Sequence, residues 1–280
     1  MRILCCLNRD LASNIALNLL LPTFKHHEVR IGLTERVGSA RVQQESSEQQ
    51  ELRVAEQELP NEVLFPLIER AGLPDRDGRY LTFTEVERNR GIQVTPLANP
   101  NSADGLEMVR RFVPDLLLTI RYGAILKSSV IAIPRLGVLN LHSGLLPAYR
   151  GVLATFRALM NGDTEIGCSL HYIIDGTIDT GPIIEATRLS VARDRSLLWH
   201  VLSLYRPGVE MIVAALKRLE GGLTLPTVAQ PTTEGAYYSA PRPDEWEEFT
   251  RAGWNVAQPS DLNEVLRRYL PAGQERPHAS

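Results

Sequence analysis

Ile3-Leu4-Cys5-Cys6-Leu7 is a short apolar run, followed by the turn residues Asn8-Arg9-Asp10, a stretch from Leu11 to Leu21 with helical spacing, and a second run, Glu28-Val29-Arg30-Ile31-Gly32-Leu33-Thr34. Strand, turn, helix and strand in that order make a βαβ unit. A chain that opens this way belongs to the α/β class, and a parallel, doubly wound sheet is the natural architecture.

From Glu35 to about Arg90 the rhythm changes. Gln43 to Glu51 is wholly polar, and Leu59 to Ala71 has helix-like spacing with Pro60 near its start. This reads as a solvated insertion carrying one or two helices, its charges forming an exposed face. The α/β rhythm then returns. Ile92 to Leu97 reads as a strand, Ser102 to Phe112 as a helix capped by Ser102, and Pro114 to Ile120 as a central parallel strand. Ile125 to Ile131 is expected to be helical. Gly137 to His142, Cys168 to Ile174 and Ile183 to Leu189 follow as strands. Leu197 to Leu219 reads as one long amphipathic helix that Pro207 should break or kink. Beyond Gly221-Gly222 the chain is rich in turn residues, with short helices near Asp244 to Ala252 and Asp261 to Tyr269 and a frayed end from Gln274 to Ser280. Leu225 to Ala240 shows little periodicity.

Composition narrows the functions available. The 280 residues carry a formal net charge of −3, with 44% hydrophobic and 22% charged residues, enough for a large buried core. A nucleic-acid binder normally has a basic excess, which is missing here. Three irregularly spaced cysteines, Cys5, Cys6 and Cys168, make neither a disulfide framework nor a zinc cage and read as small core residues in a reducing compartment. No apolar stretch reaches the roughly 18 residues of a membrane span, and the first run is too short for a signal sequence. A soluble cytoplasmic protein is expected.

The informative segment is Val138-Leu139-Asn140-Leu141-His142-Ser143-Gly144-Leu145-Leu146-Pro147. Asn140 and His142 lie two apart and project from one strand face, at the carboxyl end where open parallel sheets bind ligands. Burying an amide and an imidazole costs about 1–3 kcal/mol for each that stays unpaired, so both need partners. Further along, Asp175-Gly176-Thr177-Ile178-Asp179-Thr180-Gly181-Pro182 is a glycine-bearing loop between two strands. A carboxylate on such a loop can orient a histidine on a neighbouring strand end.

Taken together, Asn140 to Gly151, His171 to Ile184, and Tyr122-Gly123-Ala124-Ile125-Leu126-Lys127 upstream resemble the 10-formyltetrahydrofolate-dependent formyltransferase family, over residues 114 to 190 and in the family's motif order. The resemblance implies a Rossmann-like core with a mostly parallel sheet, 10-formyltetrahydrofolate as co-substrate, no required metal, and Asn140, His142 and Asp179 as catalytic residues. It also implies that Ile125, Leu126 and the loop from Asp175 through Gly176 to Asp179 hold the pterin through backbone groups. Leu126 and Leu139 are either walls of that site or plain core. An amine attacking the formyl carbon builds an oxyanion that Asn140 and a protonated His142 can stabilise, and a carboxylate–imidazole pair can carry the protons. His171 reads as a satisfied structural histidine, and Arg150 as a residue that holds the loop through backbone carbonyls.

Ser143-Gly144 departs from the family pattern and should leave the acceptor side of the turn smaller and more flexible. The first loop lacks Gly-x-Gly-x-x-Gly, and no phosphate-binding Gly-Lys-Ser/Thr occurs, which removes a dinucleotide or nucleotide site. Residues 1–200 are therefore expected to form the catalytic domain, interrupted by the polar insertion at about 35–90, with 201–280 as a C-terminal extension. The expected acceptor is a small-molecule amine or hydroxylamine, such as an amino sugar nucleotide or an amino-acid-derived precursor. There is too little strand-like sequence after Leu219 for a tRNA-gripping barrel. Methionyl-tRNA formylation and hydrolysis of the formyl donor stand as the alternatives, and a homodimer is compatible with the sequence.

Overall fold

A computed structural model describes residues 1–35, 45–76, 78–231 and 233–270. The chain begins as expected: β1 (Arg2–Asn8), α1 (Leu11–Phe24) and β2 (Glu28–Thr34) form a βαβ unit. Asp10 caps α1, its side chain accepting from the Ser13 N–H at 2.7 Å.

The start of the insertion, including Gln43 and Gln44, lies outside the described residues. The remainder is one continuous helical stretch: α2 (Ser47–Arg53), a π-helical segment (Val54–Leu64) and α3 (Phe65–Ala71), followed by α4 (Phe83–Arg90). Its charges do not all face solvent, contrary to expectation. Glu56 is buried, and so are Arg79 and Glu85, which pair at 2.9 Å. The π-helical segment packs on α1, and these groups meet partners that periodicity cannot reveal.

Next come β3 (Gln93–Pro96), α5 (Ala103–Phe112, capped by Ser102), β4 (Leu116–Ile120) and α6 (Ser128–Ile131). Helix α6 starts three residues later than the sequence suggests. Asn101 contributes to this, because its amide donates at 2.8 Å to the Ile125 carbonyl, which a helix starting there would need as an acceptor, while it also accepts from the Lys127 N–H at 2.8 Å. Then follow β5 (Val138–His142), β6 (Tyr149–Gly151), α7 (Ala154–Met160), β7 (Glu165–Ile173) and β8 (Ile183–Ser190). The expected long helix is two, α8 (Leu197–Ser203) and α9 (Tyr205–Glu220), with Pro207 in the first turn of α9, where a missing N–H costs no internal bond. The described chain ends with β9 (Ala236–Tyr238), α10 (Pro243–Arg251) and α11 (Pro259–Tyr269). The stretch from Gln274 to Ser280 lies outside the described residues.

One seven-stranded sheet runs in the order β3-β2-β1-β4-β5-β7-β8. The first five strands in that order are parallel, β7 runs antiparallel to β5, and β8 runs antiparallel to β7. The protein is therefore α/β with a mostly parallel sheet. The larger apolar cluster packs α1, α8 and α9 on one sheet face, and a smaller one packs α5 and α6 on the other. The three cysteines are buried and free, and burial pushes the thiols of Cys5 and Cys6 up. Aromatic packing fastens the C-terminal helices: Trp246 and Phe249 of α10 meet Phe156 of α7, and Tyr269 of α11 meets Phe65 and donates to Asn14 at 2.6 Å. Among the described residues no helix is long and apolar enough to cross a membrane.

Candidate active site

Sheet register assembles the site. Thr119 on β4 pairs with Asn140 on β5, and Asn140 pairs with His171 on β7, so three polar side chains lie in one row across otherwise apolar strands. Thr119 Oγ1 donates to Asn140 Oδ1 at 2.8 Å, and Asn140 Nδ2 donates to His171 Nε2 at 3.0 Å. His171 Nδ1 in turn donates to the Tyr172 carbonyl at 2.9 Å. The amide of Asn140 is thus fixed from both sides.

His142, two residues further along β5, is only 7% exposed. Its Nε2 donates to the Tyr149 carbonyl at 2.6 Å, and its Nδ1 lies 3.4 Å from Asp179 Oδ2. A carbonyl can only accept, so an imidazolium here has an acceptor for each N–H. Asp179 arrives on the loop between β7 and β8 with its backbone in the left-handed region, φ 56°. Its Oδ2 also accepts from the Gly151 N–H at 2.9 Å, and its Oδ1 is 3.4 Å from both Asn140 Nδ2 and His171 Nε2. Burial works against the charge on Asp179, but His142 and His171 beside it, with the Gly151 N–H, outweigh that and hold its pKa at about 2. A fixed anion beside an imidazole can orient the ring, stabilise its cation and favour proton transfer through it.

Asn140, His142 and Asp179 therefore come together, and His171 completes the group. His171 is buried and satisfied, as its sequence reading had it, but its partners are the catalytic candidates themselves. Thr119 went unread, although it is the one polar residue in Leu116–Ile120, the same signal that singled out Asn140.

The second predicted set lies alongside. Loop 175–179 runs against the loop holding Ile125 and Leu126, since a Cβ on Gly176 would sit 3.6 Å from the Leu126 carbonyl oxygen. Asp175 is exposed and accepts from the Thr177 N–H at 2.8 Å and from the Thr177 hydroxyl. Ile125 is exposed, whereas the Leu126 and Leu139 side chains are buried in the core, the second of the two roles open to them. Arg150 does bond backbone carbonyls, those of Glu234 at 3.3 Å and Gly235 at 3.5 Å, which belong to the C-terminal extension. Gly144 is packed, not flexible: it is buried, its φ is not positive, and a Cβ there would stand 2.7 Å from His142 Nε2.

A charge cluster at the same sheet end was missed. Arg121, directly after β4, donates to Asp10 at 2.9 Å and to Glu56 at 2.7 Å. The N-terminus of α1 is thereby filled by the chain's own carboxylate and its counter-ion.

Residues 79–213 match the sequence model of the family described as formyl transferase. The chain is 33% identical over 193 residues to the methionyl-tRNA formyltransferase of Burkholderia vietnamiensis, an alignment covering 64% of this chain and 58% of that protein. It spans about half the length of the curated relatives it matches. Among solved structures, glycinamide ribonucleotide transformylase 1 from Symbiobacterium toebii superposes with a TM-score of 0.56 at 16% identity, covering 82% of this chain and 94% of the other. The N-formyltransferase from Helicobacter canadensis, solved with folinic acid and dTDP-3-aminofucose, gives 0.53 at 16% identity, covering 85% and 71%. Likeness at that identity establishes the shared fold. The motif order, the sheet and the family match agree, and residues 79–213 form a formyl transferase domain.

Proposed function

We propose that the protein transfers a formyl group from 10-formyltetrahydrofolate to the amine or hydroxylamine nitrogen of a small molecule, with the sheet and its helices through α9 as the catalytic unit and the chain beyond Glu220 as an extension that braces it, because the expected boundary between residues 200 and 201 would cut α8. The observation that carries this reading is the convergence of Asn140, His142 and Asp179, from a strand and a loop 39 residues apart, on contacts of 3.4 Å. Asn140 exchanges its long contact with Asp179 Oδ1 and offers that amide N–H to the oxygen that gains charge as the new carbon–nitrogen bond forms. The Nε2 proton that His142 directs at the Tyr149 carbonyl goes to the folate nitrogen as the old bond breaks, and the ring regains one from the attacking nitrogen. Asp179 stays ionised and supports the imidazolium. The donor suits the adjoining surface: backbone groups of Ile125, Leu126, Asp175 and Gly176 lie together, and the exposed Ile125 and Ile174 side chains supply apolar area for a flat ring.

A tRNA acceptor is the second reading, favoured by the name of the Burkholderia relative. The small acceptor is preferred because, beyond α9, the described strands reduce to β9, and α10 bears Asp244, Glu245, Glu247 and Glu248, which repel a phosphate backbone. The ligands of the Helicobacter neighbour make amino sugar nucleotides sensible first acceptors to try.

The test is an acceptor screen with 10-formyltetrahydrofolate, read by mass spectrometry for the gain of one formyl group. We expect a small amine product, and a fall of about 10²–10⁴ in turnover for His142→Ala and Asp179→Asn. Formate release without any amine would instead indicate a hydrolase. Formylation of charged tRNA with affinity falling steeply as salt rises would move the assignment to the second reading. Absence of folate binding together with full indifference to both substitutions would sink the proposal.

A further inference from the structure

Among the three catalytic candidates only Asp179 stands on a loop, in a left-handed conformation that aspartate tolerates better than most residues but that neighbouring contacts must still hold in place. Those contacts come from the C-terminal extension. Gln230 Nε2 donates to the carbonyl oxygens of Asp179 at 2.9 Å and of Gly181 at 2.6 Å. An amide nitrogen carries two hydrogens, so one side chain can bridge both ends of the turn. Val228, two residues earlier, exchanges both backbone hydrogen bonds with Ile183 at 2.8 Å, which anchors the extension beside that turn. On the other side β9 pairs with β6, placing Tyr238 opposite Gly151, whose N–H reaches the Asp179 carboxylate.

Resting on the transfer reaction proposed above, the geometry points to Gln230 as a positioning residue that clamps the Asp179–Gly181 turn and so keeps the Asp179 carboxylate between His142 and His171. Its Oε1 is buried without a partner, a cost that filler of purely apolar kind would avoid. The side chain serves here through its donors.

The test uses the full chain with Gln230→Ala and with Gln230→Glu, which keeps the shape but removes both donors, each alone and combined with Asp179→Asn. Steady-state kinetics are read beside amide hydrogen exchange over residues 175–181. We expect either single substitution to lower kcat about tenfold while KM for the donor stays within about twofold, because a misplaced group costs rate more than binding. In the Asp179→Asn background neither should lower kcat further, and exchange over 175–181 should quicken in the single variants. Unchanged kcat in both variants, or the same loss whether or not Asp179 is present, overturns the assignment. Should the unsubstituted chain transfer no formyl group, the proposed function falls, and unaltered exchange over 175–181 would then separately overturn the clamp. If Gln230→Ala does not fold, the isosteric variant carries the test alone.

Discussion

His171 and Asn140 face each other across the antiparallel strands β5 and β7, and Asn140 Nδ2 donates to His171 Nε2 at 3.0 Å. With Nδ1 donating to the Tyr172 carbonyl, Nε2 is left to accept from Asn140, which turns the Asn140 amide so that its N–H groups lie on the Asp179 side. Replacing His171 by Leu removes this constraint without touching a reacting atom. The expected result is a kcat lower by about 10², with His171→Gln recovering part of it because its carbonyl oxygen can accept from Asn140. Equal kcat in all three proteins would show that Asn140 is oriented by Thr119 alone.

Asp179 makes a pH-dependent contribution to stability whose sign follows from its depressed pKa. The folded value is about 2 against an ordinary 3.8, so its protons bind more tightly in the unfolded chain. The resulting stabilisation, about 2 kcal/mol, is present above pH 3.8 and is lost as pH falls toward 2. Urea denaturation of the unsubstituted protein and of Asp179→Asn should therefore give a difference that shrinks by about that amount between pH 5 and pH 2.

Arg121 holds two buried carboxylates, Asp10 and Glu56, and the two sides of this cluster respond unequally to substitution. Burial pushes the Glu56 carboxyl up, so its charge is tolerated only because the guanidinium is there, and its Oε1 has no partner. Arg121→Met strands both carboxylates and is expected to cost about 3–5 kcal/mol. Glu56→Gln should cost far less, since the neutral amide needs no counter-ion. Chemical denaturation at neutral pH orders the two variants, and a Glu56 variant as damaged as the Arg121 variant would refute this account.

The contrast between these groups explains what the sequence could and could not tell. The first βαβ unit was legible because its apolar runs have the right lengths, and Asn140 with His142 because two polar residues at period two on an apolar strand must find partners. The loop from Asp175 to Asp179 was legible as a turn-rich segment bearing two carboxylates, and only the family resemblance picks Asp179 from the pair. The pairing of Asn140 with Thr119 and His171 depends on sheet register, and a period-two pattern does not say which strand lies alongside or in what alignment. Glu56 lies 65 residues from Arg121, inside a π-helical segment whose altered phase hides its inward face from a 3.6-residue reading. Strand β9 has three residues, too few for any period, and exists because β6 is there to pair with it. By contrast the capping box of α4, Thr82 with Glu85, was written in the sequence and simply unread.

Gly144 is the position where freedom and space predict different outcomes. If this glycine were needed for flexibility, alanine would stiffen the turn and leave the imidazole alone. A Cβ at this position would instead lie 2.4 Å from the Ala154 Cβ, 2.7 Å from His142 Nε2 and 2.9 Å from the Tyr149 carbonyl oxygen, between the His142 ring and its acceptor. Overpacking of this kind costs about 1–3 kcal/mol and displaces whichever neighbour yields first. Gly144→Ala is therefore expected to lower both stability and kcat, while Gly176→Ala, whose Cβ meets only the Leu126 carbonyl oxygen at 3.6 Å, should leave stability nearly unchanged and act on KM for the folate. Thermal denaturation and steady-state kinetics on the two variants separate the cases, since a Gly144 variant with native kcat would mean that the ring does not depend on the space beside it.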